Sequence, residues 1–224
     1  MARRAMIFDL DGTLVDTNAA HVEAWHEAFA VHGHDVPTER IVAEVGKGGD
    51  QLVPAIVGPE GERTQGEGLR RVHGEAFERI ARQRTFHVFP GVRELLAELR
   101  RRGLRVALAT SSKLEHVSII ERSAGIDLRS LVDLSVTASE ANASKPAPDL
   151  VVATLRKLDL PPGRCLFVGD TIYDVQAARQ AGVDCLALLC GGCSSAEALR
   201  AAGAKAIWRD PADLLTHLDA GLAA

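Results

Sequence analysis

Asp9 and Asp11 stand two residues apart at the end of the apolar run Ala5-Met-Ile-Phe, and a Gly12-Thr13 turn follows at once. A short apolar run bounded by turn residues reads as a buried strand of a parallel sheet, and ligands of open α/β sheets bind just beyond the carboxyl ends of such strands. Asp-Gly is equally a common turn dipeptide. By itself, then, this stretch fits either a reactive strand end or a solvated loop. Two more apolar runs end in polar groups: Val106 to Ala109 runs into Thr110-Ser111-Ser112, and Leu166 to Val168 runs into Gly169-Asp170, with Asp174 four residues on. If these strands are parallel, their ends share one edge and gather carboxylates and hydroxyls far apart in sequence. Lys145, in the loop Ser144-Lys-Pro-Ala-Pro, is the basic member of the set.

Such a cluster calls for a cation. Two like charges about 4 Å apart repel by roughly 4 kcal/mol at an effective dielectric near 20. Mg²⁺ favours oxygen ligands, usually one or two carboxylates with waters and a substrate phosphate. It would settle the acids and admit a phosphate together, and Lys145 would balance the charge that remains. Two of the residues also fit helix starts. Ser112-Lys-Leu-Glu115 and Thr171-Ile-Tyr-Asp174 both have the spacing of a capping box, so Ser112 and Asp174 serve either a cap or the chemistry. A helix N-terminus beside Thr110 would itself favour phosphate.

The positioning elements follow from the periodicity. Beyond residue 87, apolar runs at Val106, Cys165 and Val183 alternate with helical patterns. Val92, Leu95, Leu96 and Leu99 form one helical face, opened by Pro90-Gly91 and closed near Gly103, and Val151, Leu155 and Leu158 form another, with Pro148 at its first helical position. Strands alternating with helices imply a Rossmann-like parallel sheet of right-handed βαβ units, an α/β fold. Residues 16–86 differ: strand-like runs are scarce, Val22, Trp25, Ala28 and Phe29 make a helical stripe, and 67–84 is rich in Arg, Glu and Ala. This predicts a small helical cap domain at 16–86, inserted into an α/β core of 1–15 and 87–224 and joined by hinges near Asp16 and Phe86.

Composition bounds the rest. The chain has 224 residues, 46% of them hydrophobic, with 26 basic against 30 acidic side chains. No basic excess attracts a nucleic-acid backbone, and the apolar stretch before Asp9 is too short for a signal-peptide core or a membrane span. The expectation is a cytoplasmic enzyme, a monomer or weak dimer, with neither nucleic acid nor membrane as partner. Cys190-Gly-Gly-Cys193 has no second C-x-x-C to complete a zinc site, so reduced, incidental thiols are expected. The histidines at 21, 26, 32 and 34 lack the i, i+3 or i, i+4 spacing of a metal site.

Asp9-Leu-Asp-Gly-Thr, Thr110 after an apolar strand, Lys145 before prolines and Gly169-Asp170-x-x-x-Asp174 together resemble the four signature motifs of the haloacid dehalogenase-like hydrolase superfamily, in order and over essentially the whole chain. The helical insertion after the first motif is similar to the cap of the phosphoglycolate phosphatase and β-phosphoglucomutase branch. The resemblance implies that Asp9 attacks phosphorus to form an aspartyl-phosphate, while Asp11 protonates the leaving oxygen and then activates water. It implies Mg²⁺ held by the Asp9 side chain, the Asp11 backbone carbonyl and Asp170, with Asp174 supporting that shell. Thr110, Ser111 and Lys145 would hold the transferred phosphoryl group. On the cap, Lys47 and Gly48 of the loop Gly46-Lys-Gly-Gly-Asp50 are candidates for substrate contact, and analogy places His21 near Asp11.

Dehalogenases as a family lack the second aspartate, so Asp11 argues for phosphoryl chemistry. Asp16-Thr17, His21 and Ala24-Trp25 resemble the start of the β-phosphoglucomutase cap, which keeps a sugar phosphomutase as the alternative. Mutases typically carry adjacent acidic residues in the last motif, whereas three residues separate Asp170 from Asp174 here. The expected activity is therefore Mg²⁺-dependent hydrolysis of a small phosphate monoester. A phospho-acceptor regulatory module is the remote alternative, since it needs neither a cap nor this length.

Overall fold

The computed structural model describes residues 3–224. The chain enters through β1 (Ala5–Phe8) and β2 (Val15–Asp16), then forms α1 (Asn18–Val31), α2 (Thr38–Val42) and α3 (Gly49–Gln83) before β3 (His87–Val88). It continues as α4 (Val92–Arg101), β4 (Arg105–Ala109), α5 (Leu114–Ala124), α6 (Leu128–Leu131), β5 (Leu134–Val136) and α7 (Asp149–Leu158). The last part is β6 (Cys165–Gly169), α8 (Ile172–Gln180), β7 (Asp184–Leu188), α9 (Ala196–Ala202), β8 (Ala206–Trp208), α10 (Pro211–Thr216) and α11 (Leu218–Ala223). Six strands pair in parallel in the order β5-β4-β1-β6-β7-β8, which makes this a Rossmann-like α/β sheet.

Alternation along each strand explains why both sheet faces are covered. Met6, Phe8, Val106, Leu108, Leu166 and Val168 pack with Leu95, Leu96 and Leu99 of α4 and with Leu214 and Leu218. Ala5, Ile7, Ala107, Ala109, Cys165 and Phe167 face the other way, onto Val151, Leu155 and Leu158 of α7 and Val175 of α8. The central strand β1 is flanked by β4 and β6, and the chain builds outward to β5 on one side before crossing to β6 and β8 on the other. Strand order thus reverses at β1, where open α/β sheets bind ligands beyond the carboxyl ends. Phe8 pairs with both Leu108 and Val168, so the residues that follow emerge at one level.

The helical insertion lies between β2 and β3, which pair antiparallel, Asp16 opposite His87. Trp25, Phe29, Ile41, Leu52, Val53, Leu69 and Val72 give it an apolar cluster of its own. α3 reaches further toward the N-terminus than the Arg/Glu/Ala-rich stretch predicted, as two helical halves that meet at Gly58, whose φ of 76° is not helical. Pro59 then begins the second half at a position where its missing N–H costs nothing. β5 and β8 are three-residue strands that the apolar runs do not announce. Pro148 is the cap residue of α7 and not its first helical residue, since the helix begins at Asp149.

Candidate active site

Asp9 directly follows β1, and its backbone N–H donates to Val168 O at 2.9 Å, which ties it to the β6 edge. Lys145 reaches in from the loop before α7 with its side chain 2% exposed, placing Nζ 2.7 Å from Asp9 Oδ1 and 2.7 Å from Asp174 Oδ1. Asp174 serves both readings of its motif. Its other oxygen accepts from the Thr171 N–H and hydroxyl, closing a capping box at the start of α8, while the first binds Lys145. Burial pushes the Asp9 carboxyl well above the usual range, and the charges of Asp174, Asp170 and Asp11 add to this against the pull of Lys145.

Asp170 sits at the end of β6. Its Oδ1 accepts from Thr13 Oγ1 at 3.0 Å and its Oδ2 from Asn18 Nδ2 at 2.9 Å. Asn18 also donates to Gly191 O, so the Cys190-Gly-Gly-Cys193 loop straps the group from outside. The approach is so close that a Cβ on Gly12 would lie 2.3 Å from Asp170 Oδ2 and one on Gly191 1.9 Å from it, and Gly12 adopts φ +75° besides. Both cysteine thiols of this loop are pushed up to about 12 by burial and then by the Asp170 charge, so they remain protonated.

The donor set fits a hard dication. Carboxylate oxygens of Asp9, Asp170 and Asp174 lie within 4.8 Å of one another, three acids against the one lysine. Asp9 Oδ1 is buried and receives no well-directed hydrogen bond despite the nearby ammonium. Burial and the Asp174 charge push Asp170 up to about 7. Oxygen ligands of this kind suit Mg²⁺.

Asp11 turns away from that trio. Its Oδ1 accepts from Thr17 Oγ1 at 2.6 Å and lies 3.1 Å from His21 Nε2, while its Oδ2 accepts from Ser112 Oγ at 2.8 Å. Burial alone would raise its pKa, but the charge and hydrogen bond of His21, with those of Thr17 and Ser112, hold it well below the usual range. Of the two readings of Ser112 the cap is the one not realised: the cap of α5 is Lys113, and the Ser112 hydroxyl donates to Asp11. Thr110 is fully buried and its hydroxyl accepts from the Ser112 N–H at 3.0 Å. The Ser111 hydroxyl is buried on the rim of the cavity with no partner among the described residues.

A cavity of about 420 Å³ separates the sheet edge from the helical insertion, and it is lined by Asp9, Asp11, Ser111 and Lys145 below and by Trp25, Lys47, Gly48 and His73 above. Lys47 lines it from the side of the insertion. Its amine pairs with the Glu44 carboxylate and sits 4.6 Å over the Tyr173 ring. Gly48 contributes closeness, since a Cβ there would lie 2.1 Å from Ser144 Oγ. Next to it, Asp50 Oδ2 accepts from the Ser144 N–H at 3.0 Å, and Tyr173 Oη donates to Ala43 O at 2.6 Å.

Sequence reasoning missed Thr13, Thr17, Asn18, His73 and His116. Thr13 and Thr17 flank the first motif and carried a signal in their hydroxyls. His73 carried none, because 52 residues separate it from His21, whose Nδ1 lies 3.2 Å from His73 Nε2. The nearby histidines 26, 32 and 34 join neither ring.

Residues 3–182 match the family model of the haloacid dehalogenase-like hydrolases. A solved hydrolase from Pseudomonas syringae superposes with a TM-score of 0.89 at 33% identity, covering 97% of this chain and 99% of that one. The N-acetylmuramic acid 6-phosphate phosphatase of Pseudomonas putida is 27% identical over 227 residues, 99% of each chain. The phosphoglycolate phosphatase of Escherichia coli strain K12 is 27% identical over 238 residues, 96% of this chain and 92% of its own. With the family matched over most of its length and phosphatases among its relatives, this chain belongs to the haloacid dehalogenase-like hydrolases and is a phosphatase-type enzyme.

Proposed function

We propose that the chain hydrolyses a small phosphate monoester through an aspartyl-phosphate on Asp9, with Mg²⁺ held by Asp9, the Asp11 backbone carbonyl and Asp170. The observation that carries this reading is the division of labour between two aspartates: Asp9 lies against Lys145, whereas Asp11 is held apart by Thr17, His21 and Ser112. An Asp9 oxygen attacks phosphorus, the bond from phosphorus to the ester oxygen breaks, and Asp11 supplies that oxygen with a proton. Water then attacks the phosphoryl group, Asp11 takes its proton, and Asp9 leaves as carboxylate with free phosphate released. Lys145, Thr110 and the unpartnered Ser111 hydroxyl bind the phosphoryl oxygens, fixed donors aimed where charge develops. When bound, Mg²⁺ offsets the acid trio and the phosphate charge.

Asp174 acts on this scheme by orienting Lys145. Residues 16–86 act as a cap domain that closes the cavity against water, and a volume of about 420 Å³ suits an ester of sugar or hydroxy-acid size. The substrate is a free small molecule and the setting cytoplasmic, in keeping with four unpaired cysteines. Purified protein with Mg²⁺ should release phosphate from p-nitrophenyl phosphate and from members of a metabolite panel, and Asp9→Asn should abolish release. Undiminished release by Asp9→Asn overturns the mechanism. Interconversion of sugar phosphate isomers primed by a bisphosphate, in place of phosphate release, would mark a mutase.

A further inference from the structure

Asp11 meets two different walls. Its Oδ1 is bound from the helical insertion, by Thr17 Oγ1 at 2.6 Å with His21 Nε2 at 3.1 Å, while Oδ2 faces Ser112 at the end of β4. A proton exchanged with a substrate therefore belongs on Oδ2, and Oδ1 stays an acceptor as long as His21 keeps its N–H on Nε2. Which ring nitrogen of an imidazole carries the proton is set by the partner of the other one. That partner is His73 of α3, whose Nε2 lies 3.2 Å from His21 Nδ1. Both rings are clamped: His21 stacks on Phe77 with centroids 4.1 Å apart and planes at 8°, and His73 stacks on Trp25 at 4.0 Å and 15°. Burial first, then the positive charges of His21 and His116, hold the His73 pKa well below its ordinary value. An uncharged imidazole can present either an N–H or a lone pair, so His73 satisfies Nδ1 whether His21 is neutral or charged.

We propose that His73 is a positioning residue that acts through His21 to keep an N–H on Asp11 Oδ1, so that Asp11 can pass its Oδ2 proton to the leaving oxygen. In that step the bond from phosphorus to the leaving oxygen breaks and its electron pair stays on that oxygen. The Oδ2–H bond of Asp11 breaks to supply the proton, and the carboxylate that remains is met by His21 Nε2–H. The proposal rests on the reading of Asp11 as proton donor, and the experiment separates the two.

The measurement is kcat/KM, which reports the transfer to Asp9, for a series of p-nitrophenyl, phenyl and benzyl phosphates with Mg²⁺. A nitrophenolate leaves without a proton and a benzyl alkoxide does not. His73→Phe, which keeps the stack on Trp25, should lower kcat/KM for benzyl phosphate by roughly tenfold or more while p-nitrophenyl phosphate falls by less than about twofold. His73→Gln places an amide where Nε2 stands and should recover most of the loss, whereas His73→Asn, whose amide falls near Nδ1, should not. A uniform fall across the series, or equal behaviour of the Gln and Asn variants, overturns the role of His73. If His73→Phe does not fold, the Gln and Asn pair decides alone. Asp11→Asn is the control: a fall selective for benzyl phosphate there but not in the His73 variants refutes the inference only, and a uniform fall across the series in Asp11→Asn refutes the proton-donor reading beneath it.

Discussion

Lys145 touches both Asp9 and Asp174 with almost no exposure, so its removal strands two buried acids. Breaking a buried pair on one side typically costs about 3–5 kcal/mol. Lys145→Met should lower stability by about 3 kcal/mol near neutral pH in chemical denaturation, and phosphatase activity should fall with it. A variant of unchanged stability would show that the acids are neutral without the lysine. Asp170 gives a pH signature. Its folded value of about 7 lies above the ~3.9 of an exposed aspartate, so without metal its contribution is fully present below about pH 4 and is lost as pH rises through about 7. Mg²⁺ must displace that proton at low pH. It should therefore raise the melting temperature of metal-stripped protein more at pH 8 than at pH 5.5, and an equal rise at both would count against Asp170 as a ligand. Asp9, Asp11, Thr110, Lys145, Asp170 and Asp174 were legible as residues because each follows a strand, sits in a short polar loop or, as Asp174 does, lies in the first turn of the helix just after a strand. Their partners Asn18 and His73 were not, since neither lies beside the residue it holds.

Short elements hold this site, and their ends matter more than their lengths. Thr171 caps α8 by accepting from the Asp174 N–H, and the Asp174 carboxylate that binds Lys145 accepts in return from Thr171. Thr171→Ala should cost about 1 kcal/mol in a thermal melt, as lost caps do, and should weaken catalysis by loosening Asp174. A stability loss with full activity would assign Asp174 to the helix alone. In the cap loop, Gly48→Ala sets a Cβ 2.1 Å from Ser144 Oγ and so opposes closure without touching the core. The expected result is a fall in kcat/KM with a nearly unchanged melting temperature, and unaltered kinetics would mean that the loop does not pack here during turnover. The capping pattern at Ser112 left two readings open because spacing alone cannot tell a cap from a ligand. Asp11 offers its hydroxyl a charged acceptor, and a hydrogen bond to a charged group is worth more than one to a neutral amide.

At the scale of the molecule, one apolar cluster lies on each face of the sheet and a third inside the insertion; the first reaches into α1 and α3 through Ala24, Ala76 and Phe77, which leaves the cap loop beside the cavity as the place where motion does least damage. At the cap loop the contacts to the core are polar or close: Asp50 on the Ser144 amide, Tyr173 on Ala43, and Gly46 against Thr171. Vanadate with Mg²⁺, a phosphate mimic, should slow hydrogen exchange at residues 43–50 and at Ser144 while β1 and β6 stay unchanged. No added protection in that segment would argue against closure over the phosphate. The sequence by itself determined the parallel α/β core and the polar strand ends that meet at one edge, because strand periodicity and polar strand ends are local patterns that a sheet must bring to one side, and its four motifs carried the resemblance that implied phosphoryl chemistry. Tertiary structure alone decided that Asp174 serves Lys145 and a helix cap together, that Lys47 is tied to Glu44 and Tyr173, and that His21 leans on His73. Those pairings depend on how α1, α3 and the cap loop pack over the sheet, which no local spacing encodes.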